Sequence, residues 1–256
     1  MFYRREGVEM QFLFQILSSS EGMFLYEIIS LCIGLILIID VKTKQIWYTV
    51  SVYSICFANG FLWGSMILFQ IFYNKVSFLG GGLLGILLTL SLCIFRKNIG
   101  KYLICFWCLV KAFLILGNYA LEHYSEGQEE RIFALAFTAS IIIAVVLLAA
   151  ACIHKLRRKE WVDVNKFYKF FGLFYGSFLV TGCMYEFIYD VATRETKFLY
   201  YKTDYINFYK ALLKIDWTED GTGIFFGSIC FVLIMVGLIR QWKIKSKECD
   251  RTVTSD

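Results

Sequence analysis

The chain of 256 residues contains no proline, and only two histidines, His123 and His154. Without proline, no helix is interrupted by the missing N–H and ring clash that kink helices. The two histidines flank different apolar stretches and fall on opposite sides of any membrane those stretches would cross, which argues against a histidine-based metal site. Charge is also scarce: 18% of residues are Asp, Glu, Lys or Arg, against 58% hydrophobic, with a mean hydropathy of +0.60. An ordinary soluble domain carries about a quarter charged residues. No glycine-rich phosphate loop and no nucleophile-elbow motif is present. The net charge of +5 is no nucleic-acid footprint, because in so apolar a chain the placement of Lys and Arg matters more than their sum.

What the chain does have is apolar runs. Seven stretches, near 23–39, 46–71, 77–95, 102–120, 132–153, 168–189 and 222–239, approach or reach the roughly 20 residues that cross a bilayer core. They predict an all-α polytopic transmembrane helix bundle of about seven spans, with the lipid bilayer as its first partner. Residues 1–22 form an amphipathic lead-in, with no signal-peptide cleavage site. Residues 23–153 hold five spans, and 154–256 hold two more with a polar, aromatic segment near 196–221 between them.

Lys and Arg distribute unevenly over the alternating connections. Fifteen fall on the side of Lys42, Arg96, Lys155 and Arg240, and nine on the side of Arg4, Lys75 and Arg131. The positive-inside bias then places the N-terminus outside and the C-terminus in the cytoplasm. Asp40, closing the first apolar run in LILIIDVKTKQIW, comes out at the cytoplasmic surface, and the acidic EHYSEGQEE (122–130) outside.

The other features are of three kinds. Gly60 and Gly64, Gly81 and Gly85, Gly172 and Gly176, and Gly223 and Gly227 are small-xxx-small pairs that let helices approach closely. Cys105 and Cys108 have the spacing of a redox or zinc pair but lie in an apolar helix with no companion ligands, so helix packing is their expected role. No metal and no cofactor is expected. Lys111 lies well inside a span, where a charge costs about 2.5–3.5 kcal/mol on insertion scales. It should face a polar interior, pair with a carboxylate such as Asp40, snorkel, or be locally neutral. In 196–221, Ile206, Tyr209, Leu212 and Leu213 share one helical face while Lys210 and Lys214 lie elsewhere. That predicts an interfacial amphipathic helix on the outer side, with a re-entrant or partner-docking element as the sharper alternative.

The stretch Asp40-Val41-Lys42-Thr43-Lys44-Gln45-Ile46-Trp47 resembles the first motif of the type IV prepilin peptidases: an apolar helix ending in Asp, a basic Thr-containing turn, then Ile-Pro. Trp47 stands in place of the family's proline, and Tyr48 in place of its usual Asn or Asp. The resemblance covers about residues 24–120. It implies an integral protein of the bacterial cytoplasmic membrane, with prepilin-like single-span proteins as substrates and Asp40 as one of two catalytic aspartates. Two carboxylates are required because one activates water while the other serves as acid. The family's second Asp belongs to a G-x-G-D-x-K motif at the start of the fourth helix. In RKNIGKYLICFWCLVKAFLILG (96–117), one register puts Leu103 at that place and the other Leu109. Neither is a carboxylate, so the dyad is incomplete. On the cytoplasmic side Glu160 and Asp163 remain within reach, and Asp163 is the stand-in considered beside Asp40. Otherwise both are solvated loop acids. Asp190, in YDVATRE, echoes the DVKTK turn but falls on the outer side, as does Glu186. The alternative is a non-catalytic polytopic subunit, a transport component or assembly partner, with Asp40 a polar helix stop.

Overall fold

A computed structural model describes residues 20–39, 45–72, 75–95, 99–122, 136, 138–146, 149, 164–193, 213–215, 217 and 222–253. Within these the protein is all-helical, with seven helices and no strand. They are α1 (Ser20–Ile39), α2 (Gln45–Phe72), α3 (Lys75–Phe95), α4 (Ile99–Glu122), α5 (138–146), α6 (Val164–Thr193) and α7 (Gly223–Val253). Each lies on one of the seven apolar stretches. Two are long and apolar enough to cross a membrane, over Tyr168–Tyr189 in α6 and Gly223–Lys243 in α7. Shorter apolar segments run over Leu25–Ile39, Gly80–Ser91 and Tyr102–Gly117.

Long uninterrupted helices follow from the absent proline and from hydroxyls that satisfy themselves. Thr89 donates to the Gly85 carbonyl at 2.9 Å, Ser177 to Leu173 at 2.9 Å, and Ser228 to Ile224 at 2.8 Å. Each bond reaches back one turn, so a polar side chain sits in apolar surroundings without needing water.

Glycines bring the helices together. Gly60 and Gly64 of α2 face Gly85 and Gly81 of α3, backbone against backbone; a Cβ at Gly60 would come within 2.9 Å of the Gly85 carbonyl oxygen. On the other side of the bundle Gly34 of α1 meets Gly176 of α6, where a Cβ would lie 2.7 Å from the Gly34 carbonyl oxygen. Three of the four sequence pairs thus become helix crossings, whereas Gly227 faces little but the edge of Trp217.

These contacts fix the directions. Gly60 meets Gly85 and Gly64 meets Gly81, so α2 and α3 are antiparallel, as are α1 and α6 through Gly34–Gly176 and Cys183–Glu27. Tyr53 lies on Gly100 and Trp63 stacks on Trp107, so α2 and α4 are parallel. Leu173 meets Gly237 while Tyr185 meets Phe226, so α7 runs against α6. Helices α1, α3 and α7 run one way, and α2, α4 and α6 the other. Helix α6 is central, packing on α1, α4 and α7, and α2 pairs with α3 as a hairpin beside it.

The outward faces are apolar. Leu83, Leu84, Leu87 and Leu88 on α3, and Ile224, Phe225, Phe231, Val232, Val236 and Ile239 on α7, are all exposed. The polar residues that are buried include Asn59, Lys111, Thr181, Glu186 and Lys214.

Candidate functional site

Polar chemistry collects inside the bundle, around α6. Glu186, near the end of α6, is 3% exposed, and Lys214, from the connection before α7, is 0% exposed. Their side chains form a direct ion pair. The Lys214 ammonium also lies 5.0 Å from the centre of the Tyr26 ring on α1, where the electron-rich face attracts a cation. Burial pulls Lys214 towards its neutral form, but the Glu186 carboxylate outweighs it and the net direction is upward, so the ammonium keeps its proton at neutral pH.

Backbone geometry puts Lys214 there. Its φ is 56°, a left-handed conformation that ends the turn begun at Leu213. Leu213, Ile215 and Trp217 are buried with it. Gly182 makes the room: a Cβ there would stand 2.9 Å from the Lys214 carbonyl oxygen. That oxygen accepts a 3.1 Å bond from Trp217 Nε1, and Thr222 donates to the Trp217 carbonyl at 3.2 Å just before α7 begins. Buried non-helical backbone is tolerated where the protein supplies its hydrogen-bond partners.

Lys214, set apart from Leu213 on the expected helical wheel, is buried beside it: its backbone is left-handed and the ion pair holds its side chain inward. Residues 196–212 lie outside the described residues, as do Asp40, Asp163, Glu160 and both histidines. The side chain of Asp190 also falls outside the described residues.

Lys111 forms the second focus. It is 5% exposed on α4, its ammonium 4.9 Å from the centre of the Tyr175 ring of α6. Asn59 of α2 donates to the Tyr175 hydroxyl at 2.7 Å and to the Ile55 carbonyl at 2.8 Å. Cys108, Cys183 and Cys230, from α4, α6 and α7, are buried free thiols. The polar interior expected for Lys111 is present. Among the described residues no carboxylate pairs with it.

The prepilin-peptidase motif is described only in part. Ile39, just before Asp40, ends α1 at the end of the bundle where α6 begins. Ile46 and Trp47 are exposed, while Tyr48 turns inward, donating to the Tyr168 carbonyl at 3.4 Å with the two rings edge to face. Leu103 and Leu109 are partly buried against the core. Among the described residues Glu186 is the sole buried carboxylate, and it sits towards the opposite end from Ile39. No group of His, Cys, Asp or Glu among the described residues is placed to hold a metal ion.

No family model, curated protein or solved structure matches the chain.

Sequence reasoning found Lys111 through the cost of a charge in an apolar helix. It passed over Glu186 and Lys214 as functional partners, because they are 28 residues apart and the second lies in a polar segment. The available signal was Glu186 itself, an acid inside a run otherwise apolar from Phe170 to Tyr189.

Proposed function

We propose that this protein is a polytopic membrane protein of about seven spans that acts as a non-catalytic subunit, in transport or in assembly, and that any prepilin-peptidase ancestry survives as scaffold. The observation that carries this reading is the inversion of polarity: charged side chains are enclosed while leucine, isoleucine, valine and phenylalanine cover the outward faces of α3 and α7. Contiguous exposed apolar surface on that scale is a liability in water and is the ordinary exterior of a bundle in lipid. Ionisable groups enclosed in such a bundle mark solute or ion sites more often than structural ones. The alternating helix directions support a chain that crosses with each helix. On this reading, by the positive-inside bias, the end holding Ile39 faces the cytoplasm and the Glu186–Lys214 pair lies towards the outer face. The bacterial cytoplasmic membrane is the location consistent with the Asp40 motif.

Two observations disfavour protease chemistry. Both places at which the family's second aspartate could fall hold leucine, and the buried carboxylate Glu186 is held by a lysine at the other end. The test is expression with prepilin-like single-span substrates, reading leader cleavage and resistance of the protein to carbonate extraction together. The expected result is a carbonate-resistant protein and uncut leader. Cleavage that disappears in Asp40→Asn or Asp163→Asn would overturn the non-catalytic reading, and release by carbonate would overturn the membrane reading.

A further inference from the structure

Helix α7 outlasts its apolar span. The stretch apolar enough to cross a membrane ends at Lys243, yet the helix runs unbroken to Val253. At 1.5 Å per residue, the exposed apolar side chains from Ile224 to Ile239 cover about 23 Å, most of a bilayer's ~30 Å hydrocarbon core. The stretch from Arg240 to Lys247 rises a further ~10 Å, through the headgroup layer. It holds four cations, Arg240, Lys243, Lys245 and Lys247, and no acid; Glu248 and Asp250 follow only beyond it.

The register of the helix puts most of that charge on one side. Helix α7 packs into the bundle through Phe226, Cys230 and Ile234, which are buried, and Gly237, which meets Leu173. Gln241, next on that side, is partly buried. Val232, Val236 and Arg240 recur every four residues on the outward side and are all exposed, and Lys243 is exposed beside them. By the same register Lys247 and Arg251 continue the stripe, whereas Lys245 falls about half a turn away. The apolar stripe therefore passes into a basic one without changing face. Trp242 is 71% exposed at the changeover, where an indole offers an apolar ring and a polar N–H suited to headgroup level.

We propose that the stripe of Arg240, Lys243, Lys247 and Arg251 on α7 is a binding surface for the headgroups of anionic phospholipids. Its continuity with the apolar side names the occupant. Whatever covers Val232 and Val236 also reaches Arg240 and Lys243, and in a bilayer that is a phospholipid, with acyl chains along the valines and its headgroup among the cations. Basic residues clustered just beyond a span attract lipids of negative charge over zwitterionic ones. The inference rests on the reading of the protein as a membrane bundle and adds which lipid it gathers.

The test places the full chain in phosphatidylcholine vesicles that carry a small, equal fraction of either brominated phosphatidylglycerol or brominated phosphatidylcholine. Bromine on the acyl chains quenches nearby tryptophan, and the Trp242 signal is the difference between the unaltered chain and Trp242→Phe. Brominated phosphatidylglycerol should quench that signal roughly fivefold more than brominated phosphatidylcholine, and high salt should shrink the ratio. Arg240→Gln, Lys243→Gln and Lys247→Gln together should bring the ratio to one, while Lys245→Gln should leave it unchanged. Equal quenching by the two lipids in the unaltered chain overturns the proposal and makes the stripe a solvated flank. A preference that survives the triple change, or falls as far with Lys245→Gln as with Lys243→Gln, overturns it too. Quenching by neither lipid overturns the membrane reading itself, a result distinct from a membrane-seated chain without lipid preference.

Discussion

Lys214 and Lys111 are both buried lysines facing a tyrosine ring; Lys214 pairs with the Glu186 carboxylate, whereas among the described residues Lys111 pairs with none. The first is a structural clamp. It joins the connection before α7 to the end of α6 and is enclosed completely. The second lies on α4 against a tyrosine braced by Asn59. The lesson is that two buried lysines with the same kind of ring contact are held by different neighbours, one by an ion pair and one by an aromatic face.

The strongest way to break that contrast is to remove the carboxylate of the clamp. Glu186→Ala strands the Lys214 ammonium and should cost about 3–5 kcal/mol, measured as the shift in reversible unfolding in mixed detergent micelles. The double change Glu186→Leu with Lys214→Met removes both charges and should recover most of that loss. If the single and double variants are equally destabilised, the ion pair is not what holds the segment. Gly182→Val tests the clamp by shape. Its side chain must displace the Lys214 backbone, at about 1–3 kcal/mol, and should make the Cys183 thiol reactive to maleimide.

Changes at the other lysine have the opposite sign. Lys111→Met should stabilise the protein by about 2 kcal/mol, since a buried amine leaves an apolar helix. A loss of stability there would mean that Lys111 has an internal partner after all. The smallest effect belongs to Asn59→Ala, which frees the Tyr175 hydroxyl at a cost of about 1–2 kcal/mol. Combined with Lys111→Met, it should be close to additive if the asparagine braces the ring and not the charge.

Much of this architecture was readable from the chain. Apolar runs located all seven helices, and the spacing of Gly60, Gly64, Gly81, Gly85, Gly172 and Gly176 marked real crossings, because close backbone approach needs residues without side chains. Lys111 was legible for the same physical reason that makes it interesting. The Glu186–Lys214 pair was not, and the cause is local. A left-handed residue usually announces itself as glycine or asparagine, whereas here it is a lysine, so nothing in the sequence around Lys214 signalled that its side chain turns inward. Which helix faces which, and therefore that Tyr175, Asn59 and Lys111 converge, is a matter of long-range packing that no local pattern encodes.

The central position of α6 has a consequence for biogenesis. Helices α1 and α4 leave the ribosome before the helix they pack against, and only the α2–α3 hairpin can close its glycine contacts early. Lys111 must then wait in an unfinished bundle until Tyr175 is made, and Glu186 until Lys214 follows 28 residues later. Assembly should therefore finish in one late step. Nascent chains arrested before residue 164 should leave Lys111 open to amine reagents that the completed protein excludes, and chains arrested just after residue 193 should carry an unneutralised acid that holds them with the insertion machinery.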